Sequence, residues 1–318
     1  AMIIGIAFTK YRGIKFSWIF LLTIPFLIFN LIGAISPVTD ADGTGFHLAM
    51  IKLYQQNHHF VYHPNVISNW PMSGEMVYSV MIKFGLPPKL LHFAFGILLA
   101  LLAYAIARRH FGDKTAAWAA VLTYTIPMVV LESGIAYVDL FFAFFMVAGL
   151  YLAYLYTETN KTKILLLSSL AIGFGASIKW NGPVFVVLAS LFLFIALLYK
   201  GGIKTVVGKI WYPLPGIFFC SLWYAKNWIL SGSPFVPFMA GRNWTHENIQ
   251  LYLSTIKGHA ISIPDFIITT FSLQFNGLQL GELTWLGPMF AAFLPLILFK
   301  KSKPKIMIQL FKRITMFK

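Results

Sequence analysis

From Phe16 to Ile35 the chain carries no charged residue. A predominantly apolar run of about 20 residues is long enough to cross the hydrocarbon core of a bilayer as a helix. Inside lipid every backbone amide needs a partner within the protein, which leaves only helices and closed barrels. The apolarity here is continuous rather than alternating, so a barrel is excluded in practice. Further runs follow at about 90–107, 115–131, 139–156, 164–178, 183–199, 210–230 and 286–299. The sequence therefore predicts an all-α, polytopic membrane protein with about eight transmembrane helices. Composition agrees. Charged residues make up 11% of the 318, where soluble domains carry about a quarter.

The charges sort by membrane face. Lys10, Arg12, Lys15, Arg108, Arg109, Lys114, Lys161, Lys163, Lys200, Lys204, Lys209 and the cluster at Lys300 flank apolar runs in short segments. That distribution places the N-terminus in the cytoplasm. It also explains the net charge of +15 without nucleic acid. The first run carries basic residues before it, as a secretory signal would, but it is long and lacks a small-x-small cleavage site, so an uncleaved first span is expected. Loops at about 36–88 and 231–285 then lie outside. With them go Asp40, Asp42, Glu75, Glu132, Asp139, Glu247, Asp265 and Glu282, leaving only Asp113 and Glu158 inside. One face holds nearly all the carboxylates of a chain that has 10 acidic residues against 25 basic ones. A pure membrane anchor has no use for that arrangement. The single cysteine, Cys220, cannot form an intrachain disulfide. Residues 1–305 read as one transmembrane domain, and 306–318 as a cytoplasmic tail or the start of a truncated further segment.

Within the first outer loop, Phe46 to Tyr54 and Glu75 to Lys83 have apolar residues at helical spacing. Both are expected as amphipathic helices at the bilayer interface. Five stretches carry a further signal: Asp42-Gly-Thr-Gly-Phe-His47-Leu, Tyr62-His-Pro through Pro71-Met-Ser-Gly-Glu75-Met-Val-Tyr78, Ala136-Tyr-Val-Asp139-Leu, Gly175-Ala-Ser-Ile-Lys179-Trp-Asn-Gly182, and Trp223-Tyr-Ala-Lys226-Asn-Trp228 with Ser231 to Pro237 after it. In this order they resemble the GT-C superfamily of membrane glycosyltransferases, in particular the protein O-mannosyltransferase and aminoarabinose transferase group (glycosyltransferase family 39-like), over about residues 14–240. Lys226 stands where that group usually has Arg. The group usually extends further at its C-terminus, so the chain is expected to be a fragment or a short member.

The resemblance implies a GT-C-like fold and an inverting transfer of sugar from a polyprenyl-phosphate-linked donor. The acceptor would be a protein, lipid or glycan at the outer face of a bacterial or archaeal plasma membrane. Such a transfer needs a base for the acceptor proton, positive charge for the leaving phosphate and an apolar groove for the lipid tail. Asp42 is the candidate base, set against a plain Asp-Gly turn. Asp40 is an N-cap, holds a metal together with Asp42, or is solvated. Asp139 opens an apolar span, where a charge is costly unless it merely suits the helix N-terminus. Glu75 either serves the site or lies on the polar face of its helix. Lys179, Lys226 and Arg242 are the outer-face cations for the donor phosphate, set against snorkelling to lipid headgroups. His47 is a donor-phosphate contact or orients the base. Asp42 and Asp139 could share a Mg²⁺ or Mn²⁺ through waters; the spacing leaves metal use open. His47, His58, His59 and His63 fit no standard zinc spacing. The Trp residues near outer boundaries, Trp180, Trp223, Trp228, Trp244 and Trp285, fit an interfacial belt better than sugar platforms. Two other readings remain: a transporter or flippase for a lipid-linked or anionic solute, and a non-catalytic scaffold. A transporter should hold ionisable groups near the bilayer midplane, whereas the acids here lie at span ends and in loops.

Overall fold

The computed structural model describes residues 14–64 and 67–257. These form helices and loops. A 3₁₀ turn, Trp18–Thr23, leads into α1 (Ile24–Ile35). A π-type turn at Gly43–His47 leads into α2 (Leu48–Asn57). Then come α3 (Ser73–Lys83), α4 (Lys89–Phe111), α5 (Asp113–Tyr124), α6 (Pro127–Glu132), α7 (Asp139–Thr159), α8 (Thr162–Ala176), α9 (Gly182–Val207), α10 (Leu214–Ser231) and α11 (His246–Lys257).

Among the described residues, four segments are long and apolar enough to cross a membrane: Trp18–Ile35, α4, α7 and α9. The expected span at 115–131 is divided between α5 and α6. Pro127 lacks an N–H and disfavours helical backbone before it, and Ile126 is accordingly non-helical at ψ 126°. The expected span at 164–178 becomes the 15-residue α8, short for a bilayer. The one at 210–230 becomes α10. The expected span at 286–299, the Lys300 cluster, the end of the second loop and the 306–318 tail lie outside the described residues.

The central helix is α7, with 61% of its most apolar window buried, while α9 at 17% stands at the periphery. Small residues let neighbours approach α7 closely. Ala148 and Ala153 are fully buried, and Ser168 on α8 donates to the Gly149 carbonyl at 2.8 Å. On its other side α8 crosses α10 backbone to backbone. A Cβ on Gly173 would sit 2.2 Å from the Gly216 carbonyl oxygen, so neither position admits a side chain without separating the two helices.

The loop helices α2 and α3 form as the pattern predicts, but their apolar faces turn partly onto protein. Ile51 and Tyr78 pack with Val138, Phe141 and Ile178, which docks the 36–88 loop over one end of the bundle. The opposite end is basic, and its two carboxylates are paired. Arg108 and Lys15 flank Asp113 at 2.6 and 2.7 Å, and Arg109 meets Glu158 at 2.6 Å.

Candidate functional site

Asp40 and Asp42 lie at the turn that opens the docked loop. The Asp40 carboxylate accepts from the Gly43 amide at 2.5 Å, and its backbone carbonyl accepts from the Thr44 hydroxyl at 2.8 Å. Asp40 therefore caps this turn, as an acid at a helix start does. A Cβ on Gly43 would fall 2.5 Å from that carboxylate, which accounts for glycine there. Asp42 has no such duty. It is exposed, and the Tyr137 hydroxyl donates to its Oδ2 at 3.3 Å. Burial, and then the charges of Asp42, Asp40 and Glu132, push the Tyr137 phenol far above its ordinary range. It stays protonated and remains a donor to Asp42.

His47 is buried one turn further on. Its Nδ1 lies 2.8 Å from Glu75 Oε1, with Glu75 only 1% exposed. When the carboxylate accepts from Nδ1, Nε2 of the neutral ring is left as an acceptor. The His47 and Tyr137 rings are 5.2 Å apart. Glu75 thus reaches the site through His47. Its other oxygen, Oε2, has no hydrogen-bond partner among the described residues. Nearby Tyr54 is pushed up to about 12, first by burial and then by Glu75.

Asp139 opens α7, and its Oδ1 lies 2.5 Å from Lys179 Nζ. The two are partly exposed, and the cation expected to meet a phosphate is held by an acid. Lys226 differs. It is 7% exposed, its Nζ sits 5.2 Å from the centre of the Trp223 ring, and it has no hydrogen-bond partner among the described residues. Trp223 Nε1 donates to Ser73 Oγ at 2.7 Å, and Asn227 donates to the Asn69 carbonyl at 2.7 Å. These bonds tie α10 to the docked loop and fix Lys226 beside it. Arg242 is exposed, on a loop pinned to the end of α10 through Asn243, which donates to the Leu230 carbonyl at 3.0 Å.

Between α8, α9 and α10 runs an open-sided apolar cleft of about 610 Å³. Leu165, Ile172, Val186, Leu193, Ile217 and Cys220 line its length, and Tyr224 and Phe235 mark one end. Lys226 follows Tyr224 by two positions on α10, which turns its side chain to the opposite face of the helix from the cleft.

The structure thus joins Asp42 to Tyr137 and His47 to Glu75, and it pairs Asp139 with Lys179. It leaves Lys226 buried and Arg242 exposed. Tyr137 lies inside one of the motifs but its residue type gives it no role there, and His92, a lone histidine in an apolar run, belongs to no pattern. Among the described residues no three or more His, Cys, Asp or Glu side chains lie close enough to hold a metal ion. Asp139 is held by Lys179 and Asp40 by an amide, so a Mg²⁺ or Mn²⁺ shared by Asp42 and Asp139 would require the Asp139–Lys179 pair to open. Trp180 is 43% exposed and sits in a row of rings between Trp70 at 6.2 Å and Phe238 at 5.5 Å.

The family model for dolichyl-phosphate-mannose-protein mannosyltransferases matches residues 67–243. The match covers more than half of the chain and includes Glu75, Asp139, Lys179, Lys226 and Arg242. Asp40, Asp42 and His47 precede it. No curated protein and no solved structure matches the chain.

Proposed function

We propose, from the premise that this chain belongs to the dolichyl-phosphate-mannose-protein mannosyltransferase family, that it moves a sugar from a polyprenyl-phosphate-linked donor to an acceptor hydroxyl at the extracytoplasmic face. The family makes it a GT-C-like membrane glycosyltransferase. Two observations support the finer reading: an apolar cleft of about 610 Å³ along one face of α10, and on the helix's other face a buried lysine, Lys226, without a hydrogen-bond partner among the described residues. An apolar tail with an anionic head fits that combination. The acceptor oxygen attacks the anomeric carbon opposite the phosphate, the bond from that carbon to the phosphate oxygen breaks, and the electron pair leaves on the phosphate. Asp42 takes the acceptor proton, with Tyr137 orienting the carboxylate. Lys226, with Lys179 and Arg242, offsets the charge gathering on the leaving phosphate. His47 and Glu75 support the Tyr137 side of the site. The ionisable groups of this site lie at helix ends and in loops, which favours chemistry over transport.

The direct test is reconstitution in liposomes with a polyprenyl-phosphate-mannose donor and a hydroxyl-bearing acceptor peptide. Transfer with inversion at the anomeric carbon is expected. Donor binding without transfer would favour a carrier of lipid-linked sugar.

Cys220, the single cysteine, is a built-in reporter because it lines the cleft. Donor at ten times its Kd should slow alkylation of Cys220 by a small permeant maleimide about tenfold, by simple occupancy. An unchanged rate would place the tail elsewhere. Orientation has its own check. A reporter inserted in the 231–285 loop should read as outside and one fused after Lys305 as inside, following the positive-inside pattern. Matching signals would overturn the assignment of faces.

A further inference from the structure

The segment Ser133–Val138 between α6 and α7 has no regular secondary structure, yet it and the first residue of α7 present both Tyr137 and Asp139. One buried side chain holds it at both ends. His92, 0% exposed on α4, places Nδ1 3.0 Å from the Ile135 carbonyl oxygen and Nε2 3.0 Å from the Leu140 amide. A carbonyl can only accept and an amide N–H can only donate. The ring is therefore neutral, with its proton on Nδ1. Its two anchors bracket the site residues, since Ile135 precedes Tyr137 by two positions and Leu140 follows Asp139 by one. The seat beneath is close-fitting. A Cβ on Gly96, one turn along α4 from His92, would lie 2.4 Å from Ser133 Oγ. Tyr78 adds a third tether, its hydroxyl donating to the Tyr137 carbonyl.

We propose that His92 is a positioning residue that sets the Tyr137 hydroxyl against Asp42 and Asp139 against Lys179 by clamping the segment between them. The proposal rests on the glycosyltransferase reading for its kinetic consequence but not for its geometry. His92→Phe fills the same space and makes neither bond. His92→Asn can still donate where Nδ1 does, and His92→Gln can still accept where Nε2 does. A misplacement on the order of 1 Å at a reacting group can cost about 100-fold. His92→Phe is therefore expected to lower kcat by about 10- to 100-fold, with donor KM and Cys220 protection nearly unchanged and with Asn and Gln each restoring part of the loss. A purely structural role would lower folded yield and thermal stability and leave kcat per folded molecule alone.

A second measurement needs no activity. In a Cys220→Ser background, cysteines introduced by Asp42→Cys and Tyr137→Cys should be bridged by dibromobimane, a short thiol-to-thiol cross-linker that spans more than a disulfide does, and His92→Phe should slow that step at least several-fold. If wild-type protein transfers no sugar, the functional reading fails while the cross-linking rate still decides the clamp. An unchanged rate in folded His92→Phe, or a ¹⁵N NMR signal showing His92 with Nδ1 unprotonated, would overturn it.

Discussion

Replacing Asp42 with asparagine is expected to lower the transfer rate by about 100-fold or more, the usual contribution of a general base. The amide keeps the shape and still accepts from the Tyr137 hydroxyl, which now lies 3.3 Å from Oδ2, but it cannot take the acceptor proton. Donor binding should barely change, because the cleft and Lys226 are untouched. Protection of Cys220 is the control for that. Asp40→Asn should be far milder. An asparagine oxygen still accepts from the Gly43 amide, so the cap survives. An Asp42→Asn enzyme near wild-type rate would remove this carboxylate from the mechanism and move attention to Asp139.

The second large effect is expected at Lys226, where binding and stability should move in opposite directions. A cation at 7% exposure with no hydrogen-bond partner among the described residues is a cost to the fold, only partly offset by the Trp223 ring. Lys226→Met keeps the length and removes the charge, so the thermal midpoint of the empty protein should rise. Donor affinity should fall by about 10- to 100-fold, since a hydrogen bond to a charged group contributes about 1.5–3 kcal/mol. Sites that hold strained or unpaired groups for a ligand show this trade between stability and activity. A Lys226→Met protein that is less stable, or that binds donor as tightly as before, would mean the lysine serves the fold.

The bundle was largely legible from hydropathy, because a run such as Phe16 to Ile35 admits few folds in lipid. Pro127 broke one expected span where the average hydropathy stayed high, and only local backbone chemistry says so. The site was legible by residue type but not by pairing. Asp42 and His47 announced themselves as polar residues at a membrane exit. No spacing revealed that Asp139 would be held by Lys179, or that Glu75 would be buried on His47, because those partners are 40 and 28 positions apart. Asp40 left several possibilities open in sequence, a cap among them, and the geometry displays the cap. His92 was invisible for a different reason. Both its partners are backbone atoms, and backbone leaves no mark in the alphabet of side chains.

The peripheral position of α9 bears on how the cleft is filled. Two of its walls, α8 and α10, are locked together at Gly173 and Gly216. The third wall has most of its surface turned to the surroundings, which in a membrane are acyl chains. The apolar lining of the cleft suits an open side turned to the leaflet rather than to water. An occupant arrives by diffusion in two dimensions, and its effective concentration is a mole fraction of the lipid. Adding inert lipid to a fixed amount of protein and donor dilutes the donor just as adding buffer dilutes a soluble substrate, while adding buffer leaves occupancy unchanged.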